Sequence, residues 1–137
     1  MQSRGQIRPS EPAPDEAGTY AHLEGRWRAE NRLSPTATIK RCEAKWQWLV
    51  QQIEAGYDDD EYEWENDLDS RKIIQRAIDE LPSDLAVRLA ARVRPWDRRF
   101  MAATRAVEHP YWSGGWWADR VPAKLGPKLA ADLADYL

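Results

Sequence analysis

Cysteine occurs once in this 137-residue chain, at Cys42, so an intrachain disulfide framework is excluded. A reducing compartment is the expectation that follows. Histidine occurs twice, at His22 and His109, and two imidazoles with one thiol do not make a zinc site. No apolar run approaches the roughly 18 residues that a membrane helix needs. The opening stretch MQSRGQIRPSEPAP lacks the apolar core of a secretory signal. The net charge of −3 excludes an overall basic field that would draw the chain to nucleic acid or anionic lipid. Glycines number seven, and Gly114-Gly115 lacks the Lys-Ser/Thr context of a phosphate-cradling loop. Strict apolar–polar alternation is missing too, so no strand is expected. These absences describe a soluble cytoplasmic protein with no cofactor, no metal and no membrane association.

What the chain does contain is helical periodicity. Residues 1–15 are proline-rich and apolar-poor and read as a disordered or draped tail, leaving 16–137 as one domain. Tyr20, Leu23 and Trp27 recur at steps of three and four, which predicts a first helix over 16–33. Ser34-Pro35 reads as a helix start, with Ser34 as N-cap. The second helix carries Ile39, Cys42, Trp46, Leu49 and Ile53 on one stripe and ends at Gly56. The third carries Trp64, Leu68, Ile74 and Ile78 and stops at Pro82. Ser83 reads as the cap of the fourth, striped by Leu85, Leu89, Val93, Trp96, Phe100 and Val107, with a kink or break expected near Pro95. A last short helix is expected over 127–136. The fold class is therefore all-α: a single compact domain of four to five helices, mostly antiparallel, with a Trp-rich loop before the last helix.

That loop, YWSGGWW, places Trp112, Trp116 and Trp117 around a glycine pair. The glycines let the chain reverse, so one of Trp116 and Trp117 is expected to fold over the helix ends while Trp112 stays partly exposed.

Charge is segregated. The span Glu54–Asp69 holds nine acidic residues and no basic one, whereas Arg71–Arg105 holds nine basic and four acidic. Helix capping uses two or three carboxylates. The surplus, interleaved with tyrosines, has the chemistry of a protein-recognition face: acids for the partner's Lys and Arg, aromatics for its pockets. Tyr57, Asp58, Asp59, Asp60, Glu61, Tyr62, Glu63, Glu65 and Trp112 are the expected contact residues. The span 58–69 is not a calcium loop, because Tyr62 and Glu63 stand where the template needs an oxygen ligand and a glycine. Cys42 lies on an apolar stripe and reads as a small buried hydrophobe rather than a nucleophile. With 23 acidic residues, spacing alone singles out no acid–base pair.

Arg71 falls on the apolar stripe of the third helix, so it must be paired or reach solvent. Asp67, one turn back, and Asp97, on the fourth helix, are its expected partners. Asp67–Arg71–Asp97 reads as a structural network locking the two helices together.

The segments NDLDSR (66–71), LP (81–82) and WDRRFMAAT (96–104) resemble a pattern of small uncharacterised bacterial helical proteins, N-x-L-D-x-R, then L-P, then L-D-x-R-F-x-x-A-T. Trp96 stands in place of the pattern's leucine. The resemblance covers about forty residues, implies a paired third and fourth helix, and carries no activity. The leading functional expectation is a non-enzymatic protein-binding module, such as an immunity or inhibitor protein that neutralises a basic toxin. One alternative is a nucleic-acid-associated regulator using Arg88, Arg92, Arg98, Arg99 and Arg105. The other is an accessory subunit or small enzyme with a pocket under the Trp loop.

Overall fold

The computed structural model describes residues 14–108 and 114–134. The chain forms helices α1 (Pro14–Ala29), α2 (Ile39–Ala55), α3 (Glu61–Glu80) and α4 (Ser83–Ala103). Strands β1 (Thr104–Ala106) and β2 (Arg120–Pro122) follow, then a short α5 (Pro127–Asp132). Of the described residues, 69% are helical, which places the structure in the all-α class. Of the expected tail over 1–15, positions 1–13 lie outside the described residues, as does Trp112, and Pro14 and Asp15 are the first residues of α1 rather than tail.

The core grows from the periodic positions. Trp27, Trp46, Trp64 and Phe100 are fully buried, with Ile39, Leu49, Ile53, Ile74 and Leu89 around them. Phe100, the chain's single phenylalanine, lies 4.6 Å from the Trp46 ring and 6.2 Å from the Trp64 ring, centroid to centroid. A buried indole needs an acceptor for its N–H. Trp27 donates to Glu80 (3.0 Å), Trp46 to Asp97 (2.9 Å) and Trp64 to the Arg120 carbonyl (3.3 Å). Each bond also ties one helix to another element.

Several boundaries differ from the sequence reading. Ser34-Pro35 makes a turn, and α2 starts only at Ile39, where Thr38 caps the Arg41 N–H at 3.0 Å. Ser83 is the first residue of α4 rather than its cap, and no side chain caps that helix. Because α4 ends at Ala103, Val107 lies beyond it. Helix α4 also runs through Pro95 without a break. The N–H that Pro95 lacks costs one helix bond, and the surrounding core residues Val93 and Phe100 hold the helix together. Gly56 closes α2 at φ 116° and donates to Gln52 and Ile53, as its position implied.

The two strands were not expected. They pair antiparallel, with Thr104 opposite Pro122 and Ala106 opposite Arg120. The pairing continues through Val107 N–H to Asp119 O (2.8 Å) and Ala123 N–H to Ala103 O (2.9 Å). Three residues per strand are too few for alternation to register in the sequence. Their effect is to pin both ends of the Trp loop against the end of α4.

Candidate functional site

The acidic shoulder forms where α2 hands over to α3. Asp60 is the N-cap of α3 and accepts from the Glu63 N–H at 2.9 Å; Asp59 accepts from the Asp60 N–H at 2.9 Å. These carboxylates face the positive end of the α3 dipole, where negative charge favours the helix. Asp132 of α5 accepts the Glu61 N–H at 3.0 Å and so adds a further acid to the shoulder. Nothing in the sequence pointed to Asp132, because it lies 71 positions away and arrives only through folding.

Tyr62 is 71% exposed in the middle of this group. Asp58 and Glu65 are exposed, and Asp59, Asp60, Glu61 and Glu63 are half-buried. Among the described residues, Asp58, Asp59, Asp60, Glu63 and Glu65 make no ion pair. The shoulder's two flanks are neutralised instead. Glu54 pairs with Arg99, and Asp67 with Lys45 at 3.0 Å.

Tyr57 does not belong to the exposed face. It is buried at 3% exposure, its hydroxyl donates to Asp67 (2.8 Å), and its ring meets Trp64 edge-on at 5.1 Å. Burial, then the Asp67 carboxylate, push its phenol well above the ordinary tyrosine range. Its apolar body is spent on the core, so it cannot fill a partner's pocket.

The expected network holds in one half. Arg71 is 4% exposed and makes a two-pronged bond to Asp97, Nε to Oδ1 at 2.9 Å and Nη2 to Oδ2 at 2.8 Å. Its third nitrogen donates to Gln75 at 3.1 Å. Asp67 is not a partner, because its two oxygens are taken by the Tyr57 hydroxyl and Lys45. The indole of Trp46 takes its place in the network, donating to Asp97. The Arg71 guanidinium also lies 4.9 Å from the Trp117 ring and 5.7 Å from the Trp116 ring, within cation–π range. Trp117 is buried and Trp116 is 41% exposed, so these two tryptophans cover the Arg71 guanidinium. Gly115 is required there, since a Cβ would overlap the Trp117 ring. In the span 66–104, Arg71, Asp97, Phe100 and Thr104 are all packing or pairing residues.

The arginines of the nucleic-acid alternative are divided. Arg88 reaches Glu16 at 3.6 Å, Arg92 reaches Glu43 at 2.9 Å, and Arg99 pairs with Glu54. Arg98 and Arg105 are exposed and make no ion pair among the described residues. Cys42 is buried, and desolvation pushes its thiol up to about 11, which keeps it protonated at neutral pH and a poor nucleophile. No group of metal-ligating side chains occurs among the described residues. No helix among them is long and apolar enough to cross a membrane.

One feature escaped the sequence reading. A cavity of about 630 Å³ opens between α1, α2 and α4, lined by Tyr20, Glu24, Glu43 and Arg92 among others. It does not lie under the Trp loop. Glu16, Tyr20 and Glu24 stand four residues apart on the same face of α1 as Leu23 and Trp27. Two acids on an apolar stripe are the same signal that singled out Arg71, and they went unread because α1 is polar overall. No family model matches the sequence, and no curated protein or solved structure is detectably similar to it.

Proposed function

We propose that this protein is a binding module that takes a basic partner protein on the acidic shoulder at the start of α3, with Tyr62 as its aromatic anchor. The observation that carries this reading is the set of five carboxylates, Asp58, Asp59, Asp60, Glu63 and Glu65, that make no ion pair among the described residues, grouped around a tyrosine that is 71% exposed. Like charges held together repel, and among the described residues no cation pairs with Asp58, Asp59, Asp60, Glu63 or Glu65. A partner bearing Lys and Arg would do so, gaining association rate from steering and register from the pairs at the rim. Tyr62 would insert its ring into an apolar pocket of that partner and bring most of the buried area. An inhibitor or immunity protein acting by occlusion, or by presenting the charge of a nucleic-acid substrate, is the form of function that fits this chemistry.

The arginines of α4 give less support to nucleic-acid tracking, because Arg88, Arg92 and Arg99 are engaged with the chain's own acids. The test is capture from the source cell on immobilised protein at low and high salt. Wild type is expected to retain a basic protein that salt releases. The variant with Asp58→Asn, Asp59→Asn, Glu63→Gln and Glu65→Gln is expected to lose it, and Tyr62→Ala to weaken it. Retention of the same partner by the neutralised variant would remove the mechanism.

A further inference from the structure

We infer that the cavity between α1, α2 and α4 is a binding site for a small organic cation, a primary amine carried on a short hydrocarbon body. This site is independent of the acidic shoulder. It lies at the N-terminal end of α2, lined by Thr38, Lys40, Ala44 and Gln47, whereas the shoulder lies past the C-terminal end of that helix.

The volume of about 630 Å³ is in the range of small-molecule sites. Most of the polar lining is already satisfied. Arg92 donates to Glu43 through Nε (2.9 Å), to the Tyr20 hydroxyl through Nη2 (2.9 Å), and pairs with Glu16 through Nη1 (3.4 Å). This group closes on itself and forms a rigid wall.

Glu24 is different. It is 8% exposed, and one oxygen, Oε2, accepts the Ile39 N–H at 2.7 Å. Among the described residues its other oxygen has no partner, and Glu24 makes no ion pair. A carboxylate so deeply buried normally holds a cation or several donors. Glu24 lines the cavity, so a donor group bound there can reach it. With Glu16 and Glu43 held by Arg92, Glu24 is the lining carboxylate left to receive a cation. An ammonium group at Glu24 would complete its coordination, while Ala17, Ala44 and the Tyr20 ring would cover an alkyl chain.

The test uses n-hexylamine, protonated at neutral pH, with hexanol and hexanoate as neutral and anionic counterparts. Binding is followed by the backbone amide spectrum of the full-length protein. Hexylamine is expected to shift the Ile39 and Lys40 amides saturably, with a Kd on the order of millimolar for so small a ligand. Hexanol and hexanoate should not. Glu24→Gln keeps an acceptor for the Ile39 N–H but removes the charge, and should weaken hexylamine by roughly ten- to a hundred-fold. Ala44→Trp fills the cavity from the exposed side of α2 and should abolish the response. The inference is overturned if hexanoate or hexanol binds as well as the amine, or if Glu24→Gln changes nothing. It also fails if the shifts centre on 58–65, which would make the amine a counter-ion of the shoulder.

Discussion

Removing the Asp97 carboxylate should cost this protein a large part of its stability. Asp97→Ala deletes the acceptor of three hydrogen bonds: two from Arg71, at 2.9 and 2.8 Å, and one from the Trp46 indole, at 2.9 Å. The Arg71 guanidinium, 4% exposed, cannot turn to water, and Trp117 lies across it. A buried charge stripped of its partner costs about 3–5 kcal/mol. With an unfolding entropy of about 2.1 cal/mol/K per residue, that loss lowers the Tm by roughly 10–17 °C. Arg71→Met should cost less, about 2–3 kcal/mol, because Asp97 is 18% exposed and keeps its bond from Trp46. In the double variant neither charge is stranded, so the two losses should fall short of additive by about 2–3 kcal/mol. Urea unfolding followed by tryptophan fluorescence, at constant m-value, measures all four corners of the cycle. Additive losses, or an Asp97→Ala cost below about 1 kcal/mol, would falsify this account. A second cycle gives the contrast. Asp67→Ala and Arg71→Met should add simply, because Asp67 is held by Tyr57 and Lys45 and never touches Arg71.

Three further outcomes are expected. Neutralising Asp58, Asp59, Glu63 and Glu65 should leave the melting temperature unchanged or slightly raised, since no internal ion pair is lost and repulsion is relieved; Asp60→Ala, which removes a helix cap, should cost about 1 kcal/mol, and calorimetry separates the two. Gly115→Ala should destabilise by about 1–3 kcal/mol and change the near-ultraviolet circular dichroism, because its methyl overlaps the Trp117 ring; Gly25→Ala, inside α1 with nothing within 4 Å, should instead stabilise by about 0.5–1 kcal/mol. Hydrogen bonds from the Trp27 indole, then from Arg32 and Arg26, hold the Glu80 carboxyl below the usual carboxylate range. Its folded pKa is lower than its unfolded one, so its contribution is full above about pH 4.3 and disappears as pH falls through the folded value. Glu80→Gln should therefore flatten the acid limb of a stability–pH curve and leave its neutral-to-basic limb parallel to wild type.

The helices were legible because their stripes are regular. Ile39, Trp46, Leu49 and Ile53 are each buried where the spacing put them, as are Leu85, Leu89, Val93 and Phe100. Helix starts were less legible, because competition among local caps is decided by what packs nearby. Ser34-Pro35 has a strong start signal, yet Glu24 holds the Ile39 N–H and fixes the entry of α2 five residues later. Arg71 announced a buried pair, since a guanidinium on an apolar stripe admits few alternatives. Its partner could not be read from helical spacing alone, because Asp67 and Asp97 were both in reach and the choice turned on Tyr57. That tyrosine was misread for a related reason. It follows the Gly56 turn amid acids and has no stripe to mark it as core, but the parallel bridge to Leu125 and the bond from Gly126 draw it inward.

The ion pairs explain why one group of acids is left over. Most of the chain's cation–carboxylate contacts join different helices: Arg26 and Arg32 of the α1 region to Glu80 of α3, Arg92 and Arg99 of α4 to Glu43 and Glu54 of α2, and Arg71 of α3 to Asp97 of α4. A long side chain can serve this purpose only along the lateral contact between packed helices. Asp58, Asp59, Asp60 and Glu63 lie past the end of α2, where among the described residues no such contact supplies a cation. Their charge is therefore not part of the scheme that sets helix register. Substitutions at Asp58, Asp59, Glu63 and Glu65 should change partner association without changing the fold, whereas those at Asp97 and Glu80 should do the reverse. On the proposed function, the charge concentrated on this face is relieved by a cation that another molecule brings.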